Sequence, residues 1–179
     1  MSWTSPMTAT TGNVLTAAQF NTNWRDNMLV SEAAVATGAG NLLVCTASAH
    51  TPVERTPQVE FQGGADSTTN TSFTTLADSP SIAITTGTKA LVSIGAGVSN
   101  DTAAFGCRVG LDVSGATTIG ATDSTSYYAD SGLAGDGHQG TWVTIINLNA
   151  GFHLFDHRYR AVFGGTATFN RRLLVVIPF

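Results

Sequence analysis

The strongest constraint on the fold of this chain is a period of two in its apolar residues beyond residue 41. Apolar residues alternate with small, polar or charged ones from Phe105 to Val113, and a similar alternation runs from Trp142 to Leu148. Such a period places successive side chains on opposite faces of a β-strand, whereas an amphipathic helix needs a period near 3.6. The turn residues Asn149-Ala150-Gly151 then precede an apolar-rich stretch over residues 152–163. We therefore expect half-buried strands. The strands around residues 142–148 and 152–163 should form a β-hairpin.

Further short segments between turn residues complete an all-β pattern. Turn signals occur at Thr86-Gly87, Ser99-Asn100 and Gly164-Gly165, and no helix-period segment interrupts the series. This spacing predicts an all-β domain over residues 41–179, built as an antiparallel jelly roll or β-sandwich. The remaining strand candidates are residues 42–47, 59–62, 72–76, 81–85, 90–98, 125–128, 166–169 and 171–177.

The last strand candidate is apolar at consecutive positions. Its residues from Leu173 to Ile177 read Leu-Leu-Val-Val-Ile. A strand with one solvated face would alternate between apolar and polar residues, so this run predicts a strand that is covered on both sides. The cover is either the body of the domain, with the strand in a central position, or another subunit.

A helical pattern precedes the β domain. Thr16 and Gln19 have the spacing of a capping box, in which each side chain bonds the backbone NH of the other residue. Leu15 and Phe20 stand where a hydrophobic staple packs across the start of a helix. These signals predict a helix over residues 16–30.

An apolar stripe on this helix indicates a docking role. The stripe is narrow and consists of Phe20, Trp24 and Met28. An isolated helix of this length is marginal in water, so the stripe must dock on its own domain, on another copy or on a foreign surface. We therefore divide the chain into an extended N-terminal arm with a docking helix, residues 1–40, and the β domain at residues 41–179.

Charge and cysteine content bear on the possible classes of function. Charged residues make up 11% of the chain and the formal net charge is −4, so we expect no binding to nucleic acid. No apolar run has the length of a signal peptide core or a membrane span, so we expect neither. Cys45 and Cys107 have no CxxC partner and are interpreted as buried free thiols of a protein made in a reducing cytoplasm.

No residue pattern points to catalysis or to a cofactor. The sequence has no GxSxG, HExxH or P-loop motif, so we expect no enzyme. His153 and His157 share one strand face but lie roughly 13 Å apart along a strand, too far to bind one metal ion. We interpret them as polar or interface residues and expect no metal site. Asp123, Asp130 and Asp136 lie in a stretch rich in Ser, Gly and Tyr, which we interpret as a solvated loop, with a calcium site or a glycan contact as the alternative.

The arginines near the C-terminus form the one cationic concentration. We interpret them as residues on the solvated faces of two late strands, and an anion-facing or acidic-partner patch is the alternative. These residues are Arg158, Arg160, Arg171 and Arg172.

An aromatic group in a polar, glycine-rich region suggests recognition of carbohydrate. Tyr127, Tyr128 and Trp142 lie in or beside this region, together with His138. A carbohydrate-binding module needs aromatic rings exposed on one face, where they present a large amphipathic surface. The three aromatic residues are therefore candidates for binding a host surface glycan.

The segment from Leu15 to Met28 resembles a short N-terminal element of structural proteins of tailed bacteriophages. In that element an LTAA start leads into an aromatic-Asn pair, then Arg-Asp-Asn and an aliphatic residue. Phe20, Trp24 and Met28 replace a common Trp, a smaller apolar residue and a common Leu, and they keep the apolar stripe. Residues 87–92 and 164–178 also look like strands of phage virion β domains. The matching positions are Leu15, Thr16, Ala17, Ala18, Asn21, Arg25, Asp26 and Asn27.

This resemblance implies a non-enzymatic virion structural protein, exposed on the virion surface and assembled as a homotrimer. It favours a capsid decoration or head-fibre protein, that is, a minor capsid protein, whose arm binds the major capsid protein or other virion proteins. A minor tail or tail-tip protein with a glycan-binding β domain is the alternative. The expected partner-docking residues are Trp3, Leu15, Phe20, Trp24, Arg25, Asp26, Asn27 and Met28.

Overall fold

The computed structural model describes Thr16, residues 38–45 and residues 52–179. The predicted helix over residues 16–30 lies outside the described residues, apart from Thr16. The chain divides into two compact units, Met1–Glu54 and Arg55–Phe179. The described strands are β1 Leu42–Cys45, β2 Pro52–Arg55, β3 Gln58–Gln62, β4 Asp66–Thr68, β5 Ser81–Thr86, β6 Lys89–Asn100, β7 Gly106–Gly115, β8 Ser126–Asp130, β9 Gly137–Asn147, β10 Gly151–Val162 and β11 Ala167–Pro178.

The described part of the first unit centres on the pairing of β1 with β2. The Glu54 carboxylate accepts hydrogen bonds from the backbone NH of Gly38 at 2.9 Å and from the Asn41 side-chain amide at 2.7 Å. One carboxylate thereby ties the turn before β1 to strand β2. The predicted domain boundary at residue 40 stays a prediction.

The second unit consists of two antiparallel sheets. The first sheet has the order β3-β11-β6-β9, with β4 also paired to β11, and the second sheet has the order β5-β10-β7-β8. Along the chain, β3, β6, β9 and β11 lie in the first sheet, and β5, β7, β8 and β10 lie in the second. This alternation is the strand order of a jelly roll, so the predicted all-β fold class is confirmed.

The core lies between the two sheets, where the inward positions of each strand alternate with outward ones. Val92 and Ile94 of β6 face inward from the first sheet, and Val109 and Leu111 of β7 face inward from the second. All four side chains are fully buried. The period of two in the sequence therefore arises as predicted, because each strand buries one face against the opposite sheet.

The predicted hairpin between the strands around residues 142–148 and 152–163 is wrong. Strand β9 pairs with β6 in the first sheet, and β10 pairs with β5 and β7 in the second. The turn between them is held by the loop after β7, since Asn149 donates its backbone NH to the Thr117 hydroxyl and its side-chain amide to the Ala116 carbonyl. These bonds turn the chain from one sheet to the other.

The four C-terminal arginines do not share a solvated environment, so that interpretation is wrong for Arg172. The register of β11 against β6 shifts between Asn170 and Leu173, which places two residues opposite one. Arg171 takes a left-handed φ of 45° in this bulge and is exposed, whereas Arg172 turns inward and is only 2% exposed. A β-bulge therefore separates two adjacent arginines into surface and core.

Candidate functional site

The outer face of the first sheet is apolar over all four of its main strands. Strand register places Val59, Val175, Ser93 and Val143 in one row across β3, β11, β6 and β9. Neighbouring rows, two residues away in each direction, carry further apolar side chains. We call this surface the apolar face and define it by Val59, Phe61, Leu91, Val143, Ile145, Leu173, Val175 and Ile177.

The edge strands carry the most exposed side chains of the apolar face. Val59 and Phe61 on β3 are 61% and 57% exposed, and Val143 and Ile145 on β9 are 58% and 59% exposed. The apolar side chains on the central strands β11 and β6 are half-buried, and so less exposed than those on the edge strands. The apolar face is therefore most exposed along its two edges, β3 and β9.

The outer face of the second sheet has the opposite chemistry. Arg158 binds Asp112 at 2.9 Å and also lies 3.7 Å from Asp156. Asp123 in turn lies 2.6 Å from Arg160 and 3.6 Å from Arg108. The charges of this face are thus paired within the chain, and the alternative of an anion-facing patch does not hold for Arg158 and Arg160.

Loop residues complete this charged face. Phe73 lies under the Arg160 guanidinium, with 5.3 Å between the guanidinium carbon and the ring centre. The Arg158 guanidinium donates to the Thr75 hydroxyl. Residues 71–75 lie along β10 and supply these contacts. The polar groups of this face therefore have partners within the same unit.

A shallow polar groove of about 470 Å³ lies at one end of the first sheet, beyond the apolar face. Gly97 and Ser99 line it from β6, and Asn170 and Arg171 line it from β11. His138 of β9 also contributes to the lining, together with Gly137 and Gln139 of the same strand and Gly135 of the preceding loop. The groove offers hydrogen-bond donors and acceptors but no Phe, Tyr or Trp side chain.

The structure does not bring the three candidate glycan-binding aromatic residues onto one face. Tyr127 and Trp142 are half-buried against the core, and the Tyr127 ring lies where a Cβ on Gly140 would be, 2.5 Å from its nearest ring atom. Tyr128 lies on the outer face of the second sheet, where the Arg108 guanidinium stacks on its ring at 4.7 Å. Adjacent residues of a strand point to opposite faces, which separates the two tyrosines.

A polar cluster lies inside the jelly roll. His153 and His157 occupy the same strand face, as predicted, but that face points inward and both side chains are fully buried, so they are core rather than interface residues. The Nδ1 atom of His157 lies 3.2 Å from the Tyr159 hydroxyl, and the Arg172 guanidinium donates to the Ala77 carbonyl at 3.0 Å. Burial, and then the Arg172 charge, lowers the pKa of His157 to about 3.

Burial also acts on two other groups of the core. It raises the pKa of the Tyr159 phenol to about 12 and that of the Cys107 thiol to about 12. Cys107 is free and fully buried, as predicted, whereas the side chain of Cys45 lies outside the described residues. These groups are held in their uncharged forms, which suits a core that positions strands.

All eight predicted docking residues lie outside the part of the chain that the structure describes. These residues are Trp3, Leu15, Phe20, Trp24, Arg25, Asp26, Asn27 and Met28. Among the described residues, no group of three or more His, Cys, Asp or Glu side chains is placed to hold a metal ion. Likewise, no helix within the described ranges combines the length and the apolar character needed to cross a bilayer.

The apolar face was not predicted, although part of its signal is visible in the sequence. Strand β9 carries Val143 and Ile145 at its outward positions as well as Trp142 and Ile146 at its inward ones. This strand is therefore apolar on both faces, like the run from Leu173 to Ile177. The contribution of Val59 and Phe61 depends on the pairing of β3 with β11, which the sequence does not reveal.

By its strand order the protein belongs to the structural class of jelly-roll proteins. The solved structures similar to it include Eiger TNF from S. frugiperda, with a TM-score of 0.49 and 10% identity over 70% of this chain and 92% of that one. Infectious bursal disease virus, in its Gt and Gx strains, gives TM-scores of 0.48 and 0.41 at 14% and 12% identity. The two viral matches cover 77% of this chain and only 38% and 37% of theirs. No family model and no curated protein matches the chain.

Proposed function

We propose that this chain is a non-enzymatic structural protein of a tailed-bacteriophage virion, displayed on the particle surface as a homotrimer. The favoured role is that of a capsid decoration or head-fibre protein, whose N-terminal arm binds the major capsid protein while the jelly roll projects. One observation carries the proposal: the described fold has a large uncharged apolar outer face, as an association surface requires. The resemblance of residues 15–28 to the phage N-terminal element supports the virion setting.

The arm supplies the contacts to the particle. Large aromatic side chains such as Trp3 and Trp24 serve as anchors at interfaces, because they bury much apolar area in a small pocket. Three arms held together by one trimer raise the effective concentration of each contact, so modest single affinities suffice. Reinforcement of the shell and display of the β domain follow from the same arrangement.

Particle binding by arm variants tests this proposal. We expect Trp24→Ala in the full chain to weaken co-sedimentation with particles that lack the protein, whereas Asn23→Ala, on another face of the predicted helix, keeps it. Removal of residues 1–30 should abolish binding and leave the β-sheet circular dichroism signal of the second unit. Undiminished binding of the truncated chain would show that the arm is not the anchor.

A minor tail or tail-tip protein that binds a host glycan is the alternative. The polar groove favours this reading more than the aromatic candidates do, because Asn170, Arg171 and His138 present polar groups around one concave surface. An array of bacterial surface glycans, probed with the wild type and with Arg171→Ala, tests it. Binding that the substitution abolishes would support the tail role, and an array without signal would remove it.

A further inference from the structure

We infer that the apolar face is the surface through which copies of this chain associate. The inference deepens the proposed function, since it names the interface of the proposed homotrimer and rests on that proposal for the number of copies. The partner is a second copy of this chain, and the contact joins one first sheet to another.

The exposure pattern is the first argument. Four large apolar side chains, two on each edge strand, each leave more than half of their surface uncovered by the described residues. Scattered apolar residues are normal on a protein surface, but a contiguous apolar patch of this kind marks an interaction site. Exposure of this apolar area to water costs free energy, and association removes the area from water.

The run from Leu173 to Ile177 provides the second argument. Leu174 and Val176 are fully buried in the core, whereas Leu173, Val175 and Ile177 are half-buried on the apolar face. The sequence predicts a cover on both sides of this strand, either by the domain body or by another subunit. Within the unit Arg55–Phe179 the body covers one side only, so the other side of the strand is open to a second copy.

The size and shape of the face favour another sheet as its occupant. Four strands at a spacing of about 4.8 Å and five residues at about 3.3 Å give a surface roughly 19 Å wide and 17 Å long. A single helix is about 10 Å in diameter and spans about half of that width. The same face on neighbouring copies has matching dimensions, and in a closed trimer the β3 edge of one face packs against the β9 edge of the next through interdigitated side chains.

The charges exclude the opposite side of the jelly roll as the main contact. Its outer face carries Arg108, Arg158 and Arg160 with their aspartate partners, whose burial would remove ionised groups from water at high cost. None of the eight side chains that define the apolar face is charged. Two apolar faces therefore meet without burying an ion, and obligate interfaces between identical subunits are typically of this apolar kind.

A matched pair of phenylalanine substitutions tests the inference in the full chain. Phe61 on the apolar face is 57% exposed, and Phe152 on the outer face of the second sheet is 60% exposed. We expect sedimentation equilibrium to give an oligomeric mass for the wild type and for Phe152→Glu, and a monomeric mass for Phe61→Glu. Circular dichroism of each variant confirms that the β-sheets are retained.

A milder substitution keeps the test decisive if Phe61→Glu does not fold. Val143→Thr preserves the branched shape of an edge-strand side chain that is 58% exposed, and it should raise the dissociation constant of the oligomer at least tenfold. A monomeric wild type at micromolar concentration would overturn the inference. An oligomer that survives both substitutions on the apolar face would overturn it as well, because the contact would then lie elsewhere.

Particle binding separates this inference from the proposed function. A monomeric wild type that still co-sediments with particles would refute the interface and leave the virion role standing. An oligomer that dissociates on Phe61→Glu but never binds a particle would refute the virion role and leave the interface standing.

Discussion

Arg172, Tyr159 and His157 show how single residues set the polar interior of the jelly roll. The Arg172 guanidinium lies 5.8 Å from the centre of the Tyr159 ring, and the Tyr159 hydroxyl lies 3.2 Å from Nδ1 of His157. A cation above an aromatic ring is stabilised by the ring electrons, which offsets part of its loss of water. The cation in turn disfavours a second positive charge on His157.

We predict that His157 makes folding stability fall as the pH falls below about 6.5. Its folded pKa of about 3 lies below the ordinary value of 6.5, so between these values the unfolded chain binds a proton that the folded chain excludes. Stability is therefore fully present above pH 6.5 and is lost towards pH 3, at up to about 1.4 kcal/mol per pH unit. Urea unfolding of the wild type and of His157→Gln, at pH values from 7 to 4, measures the difference.

The substitution should flatten the pH dependence even if it lowers stability at pH 7. His138→Gln is the matched control for the chemical change, because His138 lies exposed on β9. Equal slopes for His157→Gln and the wild type would contradict the prediction.

The β-bulge is where the burial of single residues could not be predicted from the sequence. Arg171 and Arg172 are adjacent and chemically identical, and only the extra residue opposite β6 sends one outward and the other inward. The shared face of His153 and His157 could be predicted from a period of two, whereas the direction of that face could not. Burial of a charged or imidazole side chain depends on partners from other strands, which local sequence does not specify.

At the scale of elements, the end of β7 depends on a glycine. Gly115 has a φ of 108°, and a Cβ there would lie 2.3 Å from the Phe152 carbonyl oxygen of β10. An L side chain at this position would face both backbone strain and a clash with backbone that cannot rotate away.

We predict that Gly115→Ala lowers the free energy of unfolding by about 1–3 kcal/mol or more. Gly120→Ala is the matched control, since a Cβ on Gly120 would have no atom within 4 Å. That substitution should change stability by no more than about 0.5–1 kcal/mol. Urea unfolding at pH 7 compares the two, and equal effects would show that the end of β7 tolerates a side chain.

The strands themselves were largely predictable, but their pairing was not. Alternation located the strand cores around residues 105–113 and 142–148, because each strand buries one face. The same alternation is compatible with a hairpin or with a passage to the other sheet. In the structure, the passage to the other sheet is accompanied by hydrogen bonds from Asn149 to Ala116 and Thr117, more than 30 residues away in the chain.

At the scale of the whole molecule, the two outer faces suit different surroundings. The second sheet presents paired charges that suit contact with water, and the first presents an uncharged apolar surface that suits contact with protein. The predicted arm residues were identified by a local motif, whereas the apolar face arises only when β3, β6, β9 and β11 come together. Local motifs are visible in a sequence, and surfaces assembled from distant strands require the fold.

Cys107 offers a measure of how tightly the whole jelly roll closes. Its side chain is fully buried in β7, its thiol donates to the Ser99 carbonyl at 3.3 Å, and burial raises its pKa to about 12. Alkylation requires an accessible thiolate, so the folded molecule should protect this residue on both counts. We predict that iodoacetamide at pH 8 labels Cys107 only through opening of the sheets, hundreds of times more slowly than in urea.

Mass spectrometry of the peptide that contains Cys107 measures this rate without interference from Cys45. Ser114→Cys provides a matched thiol on the same strand, at an exposed outward position, and should be labelled at nearly the rate of an unfolded peptide. Because the labelling rate of Cys107 reports the opening of the core, it should increase with urea in parallel with global unfolding. Rapid labelling of Cys107 in the absence of urea would mean that the two sheets separate locally near β7, and the core would then be less cooperative than its packing implies.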